Sequence, residues 1–171
     1  RRLIESASEK ARPRDGLFHL RTGKTQALVY HSKKSFAYRS MKFAIALFDP
    51  PHSPAARRAL RFSEAALAGG HEIVRLFFYQ DGVHSASANV VSGQDEFDLP
   101  AAWRELVERN GLDAVVCIAA ALRRGVLNAE EAERYGRPGA NLGAPWELSG
   151  LGQLHEAAQT ADRLVCFGGD R

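Results

Sequence analysis

Apolar positions in this chain come in short blocks of two textures, and the textures alternate from residue 42 onward. Residues 42–48 (KFAIALF) are apolar almost without a break, as in a strand buried on both faces. After Asp49-Pro50-Pro51-His52 comes Ser53, a good N-cap, and Pro54 suits a first helical turn, so a helix is predicted over 54–67. That helix offers Ala56, Leu60, Phe62, Ala66 and Leu67 for packing and stops at Gly69-Gly70. Residues 72–79, rich in Val, Ile and Phe, read as a second strand, and the polar residues 80–97 as a long loop. Asp98 and Pro100 start a helix over 100–110, with Trp103, Leu106 and Val107 on its apolar side and Gly111 as its stop. A third strand follows over 113–118 and a short helix over 119–126. Asn128 and Glu131 then form a capping box for another helix. Residues 136–148 look like loop, Ser149 opens a helix to about 161, and 163–167 is a closing strand ended by Gly168-Gly169.

Strands alternating with helices through short turns predict an α/β domain, a three-layer, doubly wound, mostly parallel sheet. Residues 1–40 behave differently. They are rich in Arg and Ser and show no sustained helical or alternating period, and the chain's one methionine, Met41, stands immediately before the first strand. The expected organisation is a basic, disordered extension over 1–40, upstream of a natural start at Met41, and one domain over 41–171. The competing reading of 1–40 is a real basic tail or a targeting segment.

Charge sharpens that division. The 171 residues carry a formal +3, yet residues 1–40 hold ten Lys/Arg against three Asp/Glu, while the rest hold thirteen against seventeen. The domain is therefore mildly acidic, which gives it no electrostatic case for gripping a phosphate backbone. No apolar run approaches the length of a membrane span.

Candidate chemistry centres on the two cysteines, Cys117 and Cys166, too few and too far apart for a zinc site. Reactive groups of parallel sheets gather beyond the carboxyl ends of strands. Cys117 lies at such an end, before the helix-forming run Ala119-Ala120-Ala121-Leu122, where backbone N–H groups favour a thiolate. Small neighbours predict an accessible sulfur, and Arg123 and Arg124 add positive charge. The plain alternative is that Cys117 is a small buried hydrophobe. Cys166, between Val165 and Phe167, reads as core. His52, His71, His84 and His155 show no metal-ligand spacing, although His84, in the long loop, is placed to visit a site. Asp95, Glu96 and Asp98 are explained by helix capping.

Taken together, KFAIALF (42–48), FFYQDGV (77–83), DEFDLPAAW (95–103), CIAAALRRGV (117–126), NLGAPWELSGLGQL (141–154) and DRLVCF (162–167) resemble the TusD/DsrE family of sulfurtransferase subunits over residues 41–167. The resemblance implies a DsrE-like fold related to flavodoxin and a persulfide carried on Cys117, with no cofactor or metal. It implies a heterohexamer with homologous TusB-like and TusC-like subunits in the cytoplasm. Sulfur would arrive from a TusA-like donor and leave to a TusE-like acceptor, bound for the 2-thio group of tRNA wobble uridine, with tRNA met only indirectly. Cys166 has no counterpart in the family pattern. Two other functions compete: a DsrE-type subunit of sulfur oxidation, and a non-catalytic flavodoxin-like binding or assembly subunit. The loop Asp49–Ser53 lacks the glycines and hydroxyls usual for cradling phosphate.

Overall fold

The computed structural model describes residues 17–22, 25–30 and 39–169. Its contacts divide the chain into two units, Arg1–Arg39 and Ser40–Arg171. In the first, β1 (Leu17–Thr22) pairs antiparallel with β2 (Thr25–Tyr30), so part of the segment expected to lack structure is a hairpin. The rest of the expectation for residues 1–40 lies outside the described residues.

The second unit holds a five-stranded, all-parallel sheet in the order β6-β5-β4-β3-β7. The strands are β3 (Lys42–Leu47), β4 (Glu72–Phe78), β5 (Ala114–Cys117), β6 (Glu147–Ser149) and β7 (Arg163–Phe167). The helices are α1 (Pro54–Ala68), α2 (Leu99–Asn110), α3 (Ile118–Arg123), α4 (Ala129–Arg134) and α5 (Leu151–Thr160). This is the α/β architecture expected from the alternation.

The caps act where the sequence places them. Ser53 Oγ accepts from the N–H of Ala56 at 3.0 Å and Asp98 Oδ1 from that of Ala101 at 3.1 Å. Asn128 Oδ1 accepts from the N–H of Glu131 at 2.9 Å, but Glu131 turns to Arg134 at 3.4 Å, so only half of the capping box forms. Gly111 ends α2 at φ +59°, a left-handed conformation suited to glycine.

Parallel register carries side chains of paired residues to the same face. Phe43, Ile45, Phe78 and Phe167 meet α1 and α2: Phe43 stands edge-on to Phe62 at 5.3 Å, and Phe78 edge-on to Trp103 at 5.4 Å. On the opposite face α5 lies over β3 and β4, where Ala44 and Ala46 leave room for a helix to approach. Arg75 clamps this layer. Its guanidinium reaches Asp113 at 2.7 Å, Glu156 at 3.0 Å and the carbonyl of Gln153 at 2.9 Å.

Three expectations are corrected. Residues 80–97 are not all loop, because Gln80–Ala86 forms a 3-10 helix that buries Gly82, Val83, Ser85 and Ala86. Within the expected loop 136–148 the strand β6 begins, too short to leave a periodic signal, and Ser149 belongs to it rather than to α5, whose N-cap is Gly150. Cys166 is exposed rather than core, since β7 is an edge strand. Among the described residues no helix is long and apolar enough to cross a membrane.

Candidate functional site

Three segments meet at the carboxyl edge of the sheet: the end of β5, the start of α3 and the Gln80–Ala86 helix, which packs against both. Cys117 ends β5 and is the N-cap residue of α3, with φ −62° and ψ 114°. Its backbone therefore turns from strand to helix at the sulfur-bearing residue itself. Ser149 of β6 lies beside it in register.

The environment of the sulfur differs from the sequence expectation. Cys117 is 1% exposed, part of a cluster with Val115, Val116, Ala120 and Ala121, and its side chain makes no capping hydrogen bond to the first turn of α3. The accessibility expected from small neighbours is absent in the single chain. The small side chains do the opposite of opening the site, since they let the 3-10 helix and α3 approach closely.

That 3-10 helix is held down at its own glycine. The N–H of Gly82 donates to the carbonyls of Phe48 and Tyr79, both at 2.9 Å, and a Cβ at position 82 would stand 2.2 Å from the Leu47 carbonyl oxygen. Only a residue without a side chain allows this approach. Asp81 then reaches Arg124 Nε at 2.8 Å, joining the segment after β4 to the end of α3. Sequence reasoning placed Arg124 near Cys117 as added positive charge; the structure engages it with Asp81. The signal for that pair was present in the neighbouring QDG and RRG segments, but partner choice across the sheet edge is non-local.

His84 lies on the same helix. Burial pushes its imidazole below the ordinary 6.5, against the pull of Asp81 and with a smaller push from Arg124 and His52. Ser85, 1% exposed, has a hydroxyl with no hydrogen-bond partner. His71 is structural: its Nδ1 accepts from the N–H of Met41 at 3.2 Å and its ring stands edge-on to Phe43. His155 is exposed on α5, and Asp98 is the cap of α2. Burial pushes the Cys166 thiol up, so this exposed residue is a poorer nucleophile at neutral pH than an ordinary thiol.

Neither a metal nor a phosphate has an evident cradle here. Among the described residues no group of three or more His, Cys, Asp or Glu side chains converges. In the loop after β3, where flavodoxin-like sheets hold phosphate, Asp49 turns its carboxylate to the N–H of Gly169 at 3.2 Å. An acidic group there disfavours an anion.

A groove of about 700 Å³ opens beside the end of α3, lined by Leu122, Arg123, Leu127, Tyr135, Arg137 and Asn141 among others. The sequence pattern gave no hint of it, because its lining joins the end of α3 to loop residues distant in sequence.

Comparison with known proteins agrees with this architecture. The sequence profile of the DsrE/DsrF-like family matches residues 41–167. A Pseudomonas aeruginosa protein named sulfurtransferase TusD homolog is 99% identical over 131 residues, 77% of this chain and 100% of its own. A Cronobacter sakazakii sulfurtransferase TusD is 46% identical over 128 residues, 74% of this chain and 100% of its own. An Allochromatium vinosum protein named for the sulfurtransferase DsrE is likewise 46% identical, over 129 residues, 75% of this chain and 99% of its own. Among solved structures, the YchN protein of E. coli superposes with a TM-score of 0.58 at 18% identity, covering 75% of this chain and all of that one, a likeness of fold.

Proposed function

The chain belongs to the DsrE/DsrF-like family and is a sulfurtransferase, and from that premise we propose that the sulfur it transfers rides on Cys117 as a persulfide. One observation carries this reading: Cys117 is the residue where β5 turns into α3, at the carboxyl edge where α/β sheets place their chemistry. Cys166 lies on an edge strand, away from that strand-to-helix turn, and burial pushes its thiol up.

The step is thiol–disulfide exchange in form. The Cys117 thiolate attacks the outer sulfur of a donor persulfide, R–S–SH. The donor S–S bond breaks, the donor leaves as a thiolate that takes up a proton, and Cys117–S–SH forms. An acceptor thiolate attacks the same outer sulfur, takes it as its own persulfide, and returns Cys117 to thiolate. No net oxidation occurs, and one cysteine suffices because each exchange has its second sulfur on another protein. Since Cys117 is 1% exposed, the cover over it must open for either step.

The role proposed for the chain is that of a TusD-type subunit, assembled with TusB-like and TusC-like homologues in a cytoplasmic heterohexamer. It passes sulfur from a TusA-like donor to a TusE-like acceptor, toward 2-thiolation of tRNA wobble uridine. The 99% identical relative bears the TusD name and supports the first reading, while a DsrE-type role in sulfur oxidation is the second, supported by 46% identity to a relative named for DsrE.

The deciding measurement is intact mass after incubation with cysteine persulfide. The wild-type chain gains one sulfur atom, mapped to the Cys117 peptide, and both Cys117→Ser and Cys117→Ala lose the gain. The alanine variant guards against the about 1–3 kcal/mol that an unpaired buried hydroxyl can cost. Loading that persists in both variants excludes Cys117. Nucleoside analysis of tRNA from cells lacking the gene separates the two pathways: loss of 2-thiouridine supports the first, and intact 2-thiouridine with impaired sulfur oxidation supports the second.

A further inference from the structure

The groove beside α3 has chemistry that the exchange at Cys117 does not use. Among the described residues, its lining includes Arg123 and Arg137 and no Asp or Glu. Both arginines are exposed and, among the described residues, neither has a carboxylate partner; Arg57, Arg58, Arg61 and Arg163 also lack one, but of these unpaired arginines only Arg123 and Arg137 line this groove. Exposed Tyr135, under the Arg134 guanidinium at 5.6 Å, and the side chains of Leu122, Leu127 and Pro138 add apolar surface. Glu130 and Glu133 are exposed on α4 but do not line the groove.

The floor is preformed. Asn141 Oδ1 accepts from the N–H of Leu127 and its Nδ2 donates to the carbonyl of Gly125, both at 2.8 Å. The backbone of Asn141 also bonds to Leu127 at 2.9 Å and, through its carbonyl, to the N–H of Ala88 at 2.7 Å. One residue thus ties three loops, so an occupant meets a site whose ordering cost is already met. The wall is α3 itself. Arg123 lies six residues after Cys117, about 9 Å along the helix axis.

We propose that this groove docks an acidic peptide segment of the protein that exchanges sulfur with Cys117. The inference rests on the reading of Cys117 as the sulfur carrier and names the partner surface of that same site. Unpaired arginines in an acid-free groove favour carboxylates, in bidentate geometry where these present themselves. A nucleic acid is the poorer fit: two free arginines offer few phosphate contacts, and residues 41–171 carry thirteen basic against seventeen acidic side chains.

The test uses the full chain and fluorescein-labelled hexaglutamate, with hexaglutamine and a 12-nucleotide single-stranded RNA as comparison probes, read by fluorescence anisotropy. Hexaglutamate should bind the wild type at low salt and weaken at least tenfold in R123E/R137E. R58E/R61E, the same charge change on exposed residues of α1, should stay within twofold of wild type. Equal losses in the two double variants, no hexaglutamate binding by the wild type, or tighter binding of the RNA or hexaglutamine would each overturn the proposal. Sulfur loading of the wild type by cysteine persulfide is a separate arm, so a failure of the carrier reading is seen independently of peptide binding.

Discussion

Two cysteines of similar sequence setting have opposite surroundings. Cys117 follows Val115-Val116 into the interior, while Cys166 follows Leu164-Val165 onto an exposed edge. In the folded chain, iodoacetamide at pH 8 should therefore label Cys166 before Cys117, and urea should remove the difference. Peptide mass spectrometry reads the order, and native labelling of Cys117 first would show a thiol already open. His84 carries a pH dependence of definite sign. Its native value is lowered from 6.5, so below 6.5 the unfolded chain binds protons more readily than the folded one. The stability associated with a neutral His84 is full above 6.5 and is lost as pH falls through the lowered native value. Urea midpoints at pH 7.5 and 5.0 should converge in His84→Gln relative to wild type; an identical acid loss in both would place the sensitivity elsewhere.

At the scale of elements, the 3-10 helix Gln80–Ala86 matters most, because it packs on both β5 and α3, the two elements that meet at Cys117. Its seat depends on Gly82, where a methyl group would collide with the Leu47 carbonyl. Gly82→Ala should cost about 1–3 kcal/mol by overpacking and should speed alkylation of Cys117 in the same protein. A destabilised variant whose thiol stays as slow as wild type would show that another element forms the cover. The Asp81–Arg124 pair, with side chains 43% and 28% exposed, contributes at most about 1 kcal/mol. Its importance is positional, as a tie between this helix and the end of α3.

At the scale of the molecule, the buried cluster from Ile45 to Trp146, among the described residues, comes from the Ser40–Arg171 unit. A chain beginning at Met41 should accordingly keep the far-UV circular dichroism of its α/β sheet, unfold in one cooperative step within a few degrees of the full chain, and load sulfur on Cys117. A non-cooperative melt would show that residues 1–40 contribute to the folded state.

The order of elements was readable from the chain because its causes are local. Ser53 and Asp98 start their helices with their own side chains, Gly111 ends one by its own φ, and apolar runs such as 42–47 announce strands buried on both faces. Other features depended on which strand ended up beside which. Residues 147–149 are a strand because β5 offers an edge to pair with, and Cys166 is exposed on β7, which among the described residues is the outermost strand of the sheet. The closure of Cys117 and the acid-free groove beside α3 likewise come from segments distant in sequence. Hydropathy reports what a residue prefers, whereas the company it keeps is set by strand order and packing across the sheet.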